Sequence, residues 1–139
     1  MAVMNGRAIV AGAAEGEALV SREPLSFWGG YDFKTGTIVD THHPLAGVRA
    51  AGTVLALPFS RGSSTTTAVL LEAVRAGTAP AALVTTGIDS FFALASIVAG
   101  VMYEKSFPVV ALDAGDFDRL TSGQWITIET SGIVRADGA

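Results

Sequence analysis

The chain has 139 residues, half of them hydrophobic, so it can bury a sizeable core as one domain spanning 1–139, and a second domain is not expected. It carries 9 Lys plus Arg against 13 Asp plus Glu, with no run of like charges; this gives a nucleic-acid or anionic-membrane surface no support and favours a small-molecule or protein partner. The absence of cysteine excludes disulfides, thiol catalysis and any thiolate-ligated metal made by this chain alone, so an iron–sulfur cluster would have to belong to another chain.

The opening MAVMNGRAIVAG has one basic residue and no apolar run long enough for a signal peptide. The longest uncharged apolar run, Ser90 to Tyr103, is shorter than the roughly 20 residues a bilayer span needs. A cytoplasmic protein is therefore expected. Charged residues make up 16%, against about 25% in ordinary soluble domains. That apolar excess fits either an obligate interface or a well-filled core beneath a small polar surface.

Segments of small and β-branched residues between glycines predict short strands over Arg7 to Val10, Ala18 to Ser21, Thr37 to Asp40, Thr53 to Leu57, Ala81 to Thr85, Val109 to Leu112, Trp125 to Glu129 and Ile133 to Arg135. Val54 to Leu57 is continuously apolar and reads as a central strand covered on both faces, whereas Trp125 to Glu129 alternates and should keep one wet face. A first helix is expected over Thr65 to Ala76, with Leu70, Leu71 and Val74 inward, Glu72 and Arg75 outward, and Gly77 as its stop. A second is expected over Ser90 to Met102, capped by Asp89 or Ser90, with Phe91, Leu94, Ala95, Val98 and Val101 at the i, i+3, i+4, i+7 spacing of a core face. A partner-facing stripe on this uncharged helix is the alternative. The order of elements predicts a mixed sheet partly covered by two main helices, in the α/β to α+β range.

Arg61-Gly62-Ser63-Ser64 follows a strand and opens a helix, where free N–H groups and the helix dipole favour an anion such as a carboxylate. Gly62 permits close backbone approach, and Arg61 suits bidentate pairing with a carboxylate. Ser64 can act as the N-cap, which leaves Ser63 without a capping role. The plainer reading makes both serines and the three threonines after them redundant first-turn polar residues. The spacing is not that of a phosphate-binding P-loop.

A second group is Phe27-Trp28-Gly29-Gly30-Tyr31-Asp32, followed by Asp40-Thr41-His42-His43-Pro44. The double glycine beside aromatics fits a loop lying against a ligand or partner, while Asp32 reads better as a turn residue. Adjacent His42 and His43 would point to opposite faces of a strand, which argues against a shared metal. One histidine with Ser63 and Asp40 would sketch a hydrolase triad, but no G-x-S-x-G elbow surrounds Ser63.

Taken together, ALVSREPLSFWGGYDFKTGTIVDTHHPLAG and LALPFSRGSSTTTAVLLEAVRAGTAPAALV resemble, in matching order, the small subunit of the aconitase X family of dehydratases. The pattern G-G-x-D-x-x-T-G-x-I-x-D from Gly29 to Asp40 is the most specific part of the likeness. The resemblance implies a swivelling β/β/α domain, like the mobile fourth domain of aconitase, docked on a large subunit that holds an iron–sulfur cluster, with no cofactor or metal bound by this chain. It assigns Ser63 as the base that removes the proton beside a substrate carboxylate. Arg61, Gly62, Ser64, Gly29 and Gly30 fall to substrate binding. The aconitase motif continues with arginine after the two serines; Thr65 stands there instead, and Arg61 is the candidate to replace it.

Serine is a poor base in water, so this role needs a dry cleft with N–H donors and a cation nearby, and a Lewis-acidic metal to draw off the leaving oxygen. Two activities of the family compete. Its archaeal-type members act on mevalonate 5-phosphate and carry K-G-S-T-like motifs. Its bacterial-type members dehydrate cis-3-hydroxy-L-proline, and F-W-G-G, H-H-P and R-G-S-S resemble theirs more closely.

Overall fold

The computed structural model describes residues 1–138. In chain order its elements are β1 (Ala2–Asn5), β2 (Arg7–Val10), β3 (Ala14–Val20), β4 (Tyr31–Asp32), β5 (Thr37–Ile38), β6 (Val54–Ala56), α1 (Thr65–Ala76), β7 (Ala82–Thr85), α2 (Ser90–Tyr103), β8 (Val109–Ala111), α3 (Ala114–Phe117), β9 (Trp125–Ile128) and β10 (Ile133–Asp137). Strands β4 and β5 form a small hairpin; the other eight make one mixed sheet in the order β1-β10-β9-β3-β6-β7-β8-β2.

The sheet has two halves. Strands β3, β6, β7 and β8 run parallel, as βαβ crossovers through α1 and α2 require. Strands β1, β10, β9 and the first half of β3 are antiparallel, and so is the β8–β2 pair. Strand β3 serves both halves: Ala14 to Glu17 pair with β9, and Ala18 to Val20 pair with β6. Although β1 and β2 stand at opposite ends of the strand order, only Gly6 separates them in the chain. The sheet must therefore curl until its edges meet, and Gly6 N donates to Gly132 O (3.1 Å) at the join. A Cβ on Gly6 would lie 2.5 Å from that oxygen, so no larger residue fits.

Alternation along the strands then fills two cores. Val54, Ala56, Ala82 and Val84 point into the curled sheet, where they meet Met4, Leu112, Ile126, Ile128 and Val134. Leu55, Leu57 and Leu83 point the other way and pack beneath Leu70, Val74, Phe92 and Ala95 of the two helices. The result is a β/β/α sandwich of layers, as the resemblance implied. Val54 to Leu57 lies at its centre, fully buried, and Trp125 is exposed while Ile126 and Ile128 are buried, both as predicted.

Helix α1 matches its prediction, and Gly77 ends it in the left-handed region with its N–H on Ala73 O and Val74 O. Helix α2 does not bury the predicted face. Phe92, Ala95, Ser96 and Ala99 are inside, whereas Leu94 and Val101 are exposed. The helix is apolar all round, so spacing alone cannot choose a face; the small side chains of Ala95, Ser96 and Ala99 allow the closest approach to the layer below. Neither strand β1 nor the single-turn α3 was predicted, and β4 and the Ala14 to Glu17 half of β3 were missed as well. Strand β1 is a four-residue edge strand, and α3 is one turn started by Asp113, whose carboxylate accepts from Asp116 N (2.7 Å). Among the described residues no helix is long and apolar enough to cross a membrane.

Candidate active site

Because β6, β7 and β8 are parallel and joined by α1 and α2, both helices begin at the same edge of the sheet, outside the carboxyl ends of the strands. Ligands of open α/β sheets bind at such an edge. The segment between β6 and α1 is tethered there at several points. Leu57 N donates to Val84 O (3.0 Å), Ser60 forms a parallel bridge with Leu25, and Arg61 N donates to Leu25 O (3.0 Å). Ser60 also donates through its N–H (2.6 Å) and hydroxyl (2.7 Å) to Asp89 Oδ2. The other oxygen of Asp89 accepts from Phe91 N and Phe92 N (3.1 Å each), which caps α2 as predicted.

The tethers stop after Arg61. Gly62 has φ 127°, a backbone region that side chains other than hydrogen rarely tolerate. Ser63 and Ser64 are exposed. Ser64 stands at the N-cap position, yet its side chain caps nothing. The expectation that one serine caps α1 is therefore wrong. With φ −55° and ψ −15° Ser64 is already helical, and its hydroxyl cannot reach back over the next N–H groups as an extended N-cap residue does.

Main-chain carbonyls begin the helix instead: Ser63 O accepts from Thr66 N (2.9 Å) and Ser64 O from Ala68 N (3.2 Å). The Ser63 hydroxyl makes one long contact, 3.4 Å to Thr65 Oγ1, in which either oxygen can donate. Among the described residues no hydrogen bond takes the N–H of Ser63 or Ser64, and the guanidinium of Arg61 forms no ion pair. Behind them Thr66 Oγ1 is buried without any partner, 3.9 Å from where a Cβ on Gly62 would sit. The site thus presents a bare hydroxyl, free N–H groups and an unpaired cation on one loop, a combination that suits an anionic substrate.

The double-glycine loop lies alongside through Leu25. Phe27 is buried, stacked on Tyr31 (5.3 Å) and edge-on to Phe92 of α2 (5.4 Å), while Trp28 is 68% exposed. Phe27 is thus a core residue, and only Trp28 presents a surface. A Cβ on Gly30 would fall 2.1 Å from Ser26 O, so that glycine is required by its turn. Gly29 and Gly30 also line an open pocket of about 350 Å³ with Ser26, Trp28, Val39, Asp40 and Thr41. Arg61 to Ser64 do not line it; the shared main chain of Leu25 is what joins the two groups.

The remaining polar residues serve turns. Asp32 accepts from Lys34 N (2.9 Å) and Thr35 Oγ1 (3.2 Å), the turn role predicted for it. Asp40 accepts from His42 N (3.0 Å). His43 is buried, with Nδ1 accepting from Leu45 N (3.1 Å) and Nε2 facing Glu23 O (3.3 Å), so both ring nitrogens are engaged by the main chain. Neither histidine bonds to Ser63, and the triad sketched from the sequence is not assembled. Burial raises the pKa of the Tyr31 phenol well above its usual value, with Arg49 partly offsetting it, and its hydroxyl donates to Thr78 O (2.7 Å).

Sequence reasoning missed two residues here. Asp89 was visible as a cap, but its hold on Ser60 joins residues 29 positions apart. Thr66 looked like one of three interchangeable threonines; Thr67 is buried too but donates to Phe91 O (3.0 Å), and only the unpartnered buried hydroxyl of Thr66 sets it apart.

The sequence profile of the aconitase X swivel domain matches residues 3–136. The chain belongs to the aconitase X swivel-domain family. It is 43% identical over 119 residues to the cis-3-hydroxy-L-proline dehydratase of Pseudomonas aeruginosa, a match covering 86% of this chain and 20% of that protein. It is 36% identical over 135 residues to the phosphomevalonate dehydratase small subunit of Thermococcus onnurineus, covering 96% and 98%. The crystal structure of aconitase X from Thermococcus kodakaraensis superposes with a TM-score of 0.87 at 31% identity, covering 99% of this chain and all of that one. This swivel domain spans about a fifth of the hydroxyproline dehydratases it matches, 20% and 21%, but nearly the whole of the Thermococcus small subunit. It has no cysteine, and among the described residues no three His, Asp or Glu side chains gather into a possible metal site.

Proposed function

We propose that this swivel domain is the small subunit of a cytoplasmic aconitase X-type hydro-lyase and supplies its base from Ser63. The substrate is cis-3-hydroxy-L-proline, dehydrated to Δ1-pyrroline-2-carboxylate after tautomerisation. The observation that carries this reading is the state of the α1 entrance. Ser63 is bare, the N–H groups beside it are free, and no local capping role accounts for it. For the substrate, support comes from the 43% identity to the Pseudomonas aeruginosa enzyme.

In this reading the Ser63 oxygen takes the proton from the carbon beside the substrate carboxylate. Arg61 and the N–H groups of Ser63 and Ser64 hold the carboxylate and favour the ionised oxygen. Gly62 lets the main chain approach, and Gly29 and Gly30 form the neighbouring wall. Departure of the hydroxide falls to groups outside this chain, on a large subunit bearing an iron–sulfur cluster. A lone domain with Ser63 in water is too wet for this chemistry, so turnover requires the complex.

The second reading, a phosphomevalonate dehydratase small subunit, is favoured by the end-to-end match to the Thermococcus onnurineus subunit. Assaying the purified complex with cis-3-hydroxy-L-proline and with mevalonate 5-phosphate separates the two. Ser63→Ala is expected to lower kcat about 10²- to 10⁴-fold with the fold intact, since the side chain is exposed. Near-normal turnover by Ser63→Ala would leave this domain a non-catalytic docking module.

A further inference from the structure

The two long helices cover the same face of the sheet, but only one is finished as a surface. Outward positions of α1 carry Glu72 and Arg75, paired at 2.6 Å, with small Ala68 and Ala76. Helix α2 has no charged residue from Ser90 to Tyr103. Leu94, Ile97 and Val101, spaced i, i+3, i+7, form an exposed stripe with Met102 beside it, and Val101 is 80% exposed. Local physics does not favour this choice. Ile and Val are poorer helix formers than Lys, Glu or Ala, and an apolar stripe in water lowers solubility.

Two more exposed apolar residues stand at the entrance of this helix: Ile88, 62% exposed, precedes its cap Asp89, and Phe59 precedes Ser60, whose bonds to Asp89 join this end of α2 to the Ser63 loop. A group of exposed large apolar side chains of this kind is uncommon on a free monomer and marks an interaction surface.

Two observations single out the occupant. The relatives matched at full length are named small subunits, so they have a larger companion. In the hydroxyproline dehydratases the same domain accounts for only 20% and 21% of the protein, and the remainder belongs to the same molecule. Phe59 and Ile88 flank the Ser60–Asp89 join that ties the Ser63 loop to the start of α2, so a body that closes over Ser63 comes up against this end of the helix. We infer that the stripe of Leu94, Ile97, Val101 and Met102, with Phe59 and Ile88 at the helix entrance, seats the large catalytic portion, which grips the swivel domain along α2 as well as at the rim of the site. This rests on the two-part enzyme of the proposed function and adds where its parts hold each other. The docked portion presents an apolar groove, since no charge lies along α2 to recruit a polar one.

The test uses the full chain and the large subunit of the same organism, purified separately without oxygen and titrated by calorimetry. Ile97→Glu/Val101→Glu is expected to weaken binding about 100-fold or more, and Val101→Arg alone by about 10-fold, with circular dichroism and unfolding midpoints unchanged. Binding by both variants within twofold of the unaltered chain would overturn this inference while leaving the two-part enzyme standing. No binding by the unaltered chain would overturn both. Sedimentation of the isolated chain gives the remaining outcome: a dimer that Ile97→Glu/Val101→Glu dissolves would assign the face to a second copy and overturn the proposal.

Discussion

Helices α1 and α2 enter the same edge of the same sheet, each after a parallel strand, and their entrances are built in opposite ways. At α2 the carboxylate of Asp89 accepts four hydrogen bonds, two from its own helix and two from Ser60. At α1 the N-cap side chain bonds nothing, the preceding hydroxyl has one long contact, and Thr66 Oγ1 is buried alone. One entrance is closed by its own side chain and serves stability. The other leaves its polar groups unspent, which a fold tolerates at a place where something else is to bind. The closed entrance also holds the open one: Asp89 fixes Ser60, and Ser63 hangs three residues beyond it.

This contrast can be broken by substitution. The largest stability loss is expected for Asp89→Ala, about 2–4 kcal/mol, because it removes a helix cap and strands the Ser60 donors. Urea unfolding would measure it, and a loss under about 1 kcal/mol would show that the closed entrance matters less than its geometry suggests. Tyr31→Phe comes next, at about 1 kcal/mol for the lost bond to Thr78 O, with a signature in pH. The folded-state pKa of Tyr31 is raised, so the unfolded chain loses that proton first. The stability from keeping it neutral is complete below about pH 10 and is lost as pH climbs from there toward the raised folded value. Unfolding midpoints between pH 8 and 11 should fall at the alkaline end for the native chain and fall less for Tyr31→Phe.

Thr66→Val should be neutral or stabilising by up to about 1 kcal/mol in the isolated chain, since an isosteric methyl replaces an unbonded hydroxyl. A clear destabilisation would mean that Thr66 Oγ1 has a partner within the free domain. Smallest of all, Ser64→Ala should change stability by less than about 0.5 kcal/mol, the mark of a position that caps nothing. A loss of 1 kcal/mol or more would place Ser64 back in the capping role.

Most of the strands of the large sheet, α1 with its glycine stop, the Asp89 cap and the turn role of Asp32 were legible in the sequence, because each rests on neighbours within a few residues; β1, β4 and the first half of β3 were not. So was the position of Ser63 at a helix mouth. The buried face of α2 was not, since an all-apolar helix offers several equivalent faces and only the layer beneath selects the one lined by Ala95, Ser96 and Ala99. The curl of the sheet at Gly6 was equally hidden. It depends on Gly132 arriving from the far end of the chain.

The sequence by itself determined which segments become strand, helix or turn and which residue types stand at the site, for these follow from local propensity and periodicity. Tertiary structure alone decided which of those residues are satisfied. Ser60 takes its partner from 29 positions away, Arg61 is held by the main chain of Leu25, and Thr66 is enclosed without a bond. Whether a polar group is spent or spare depends on what long-range packing brings within about 3 Å of it, and no local rule reports that.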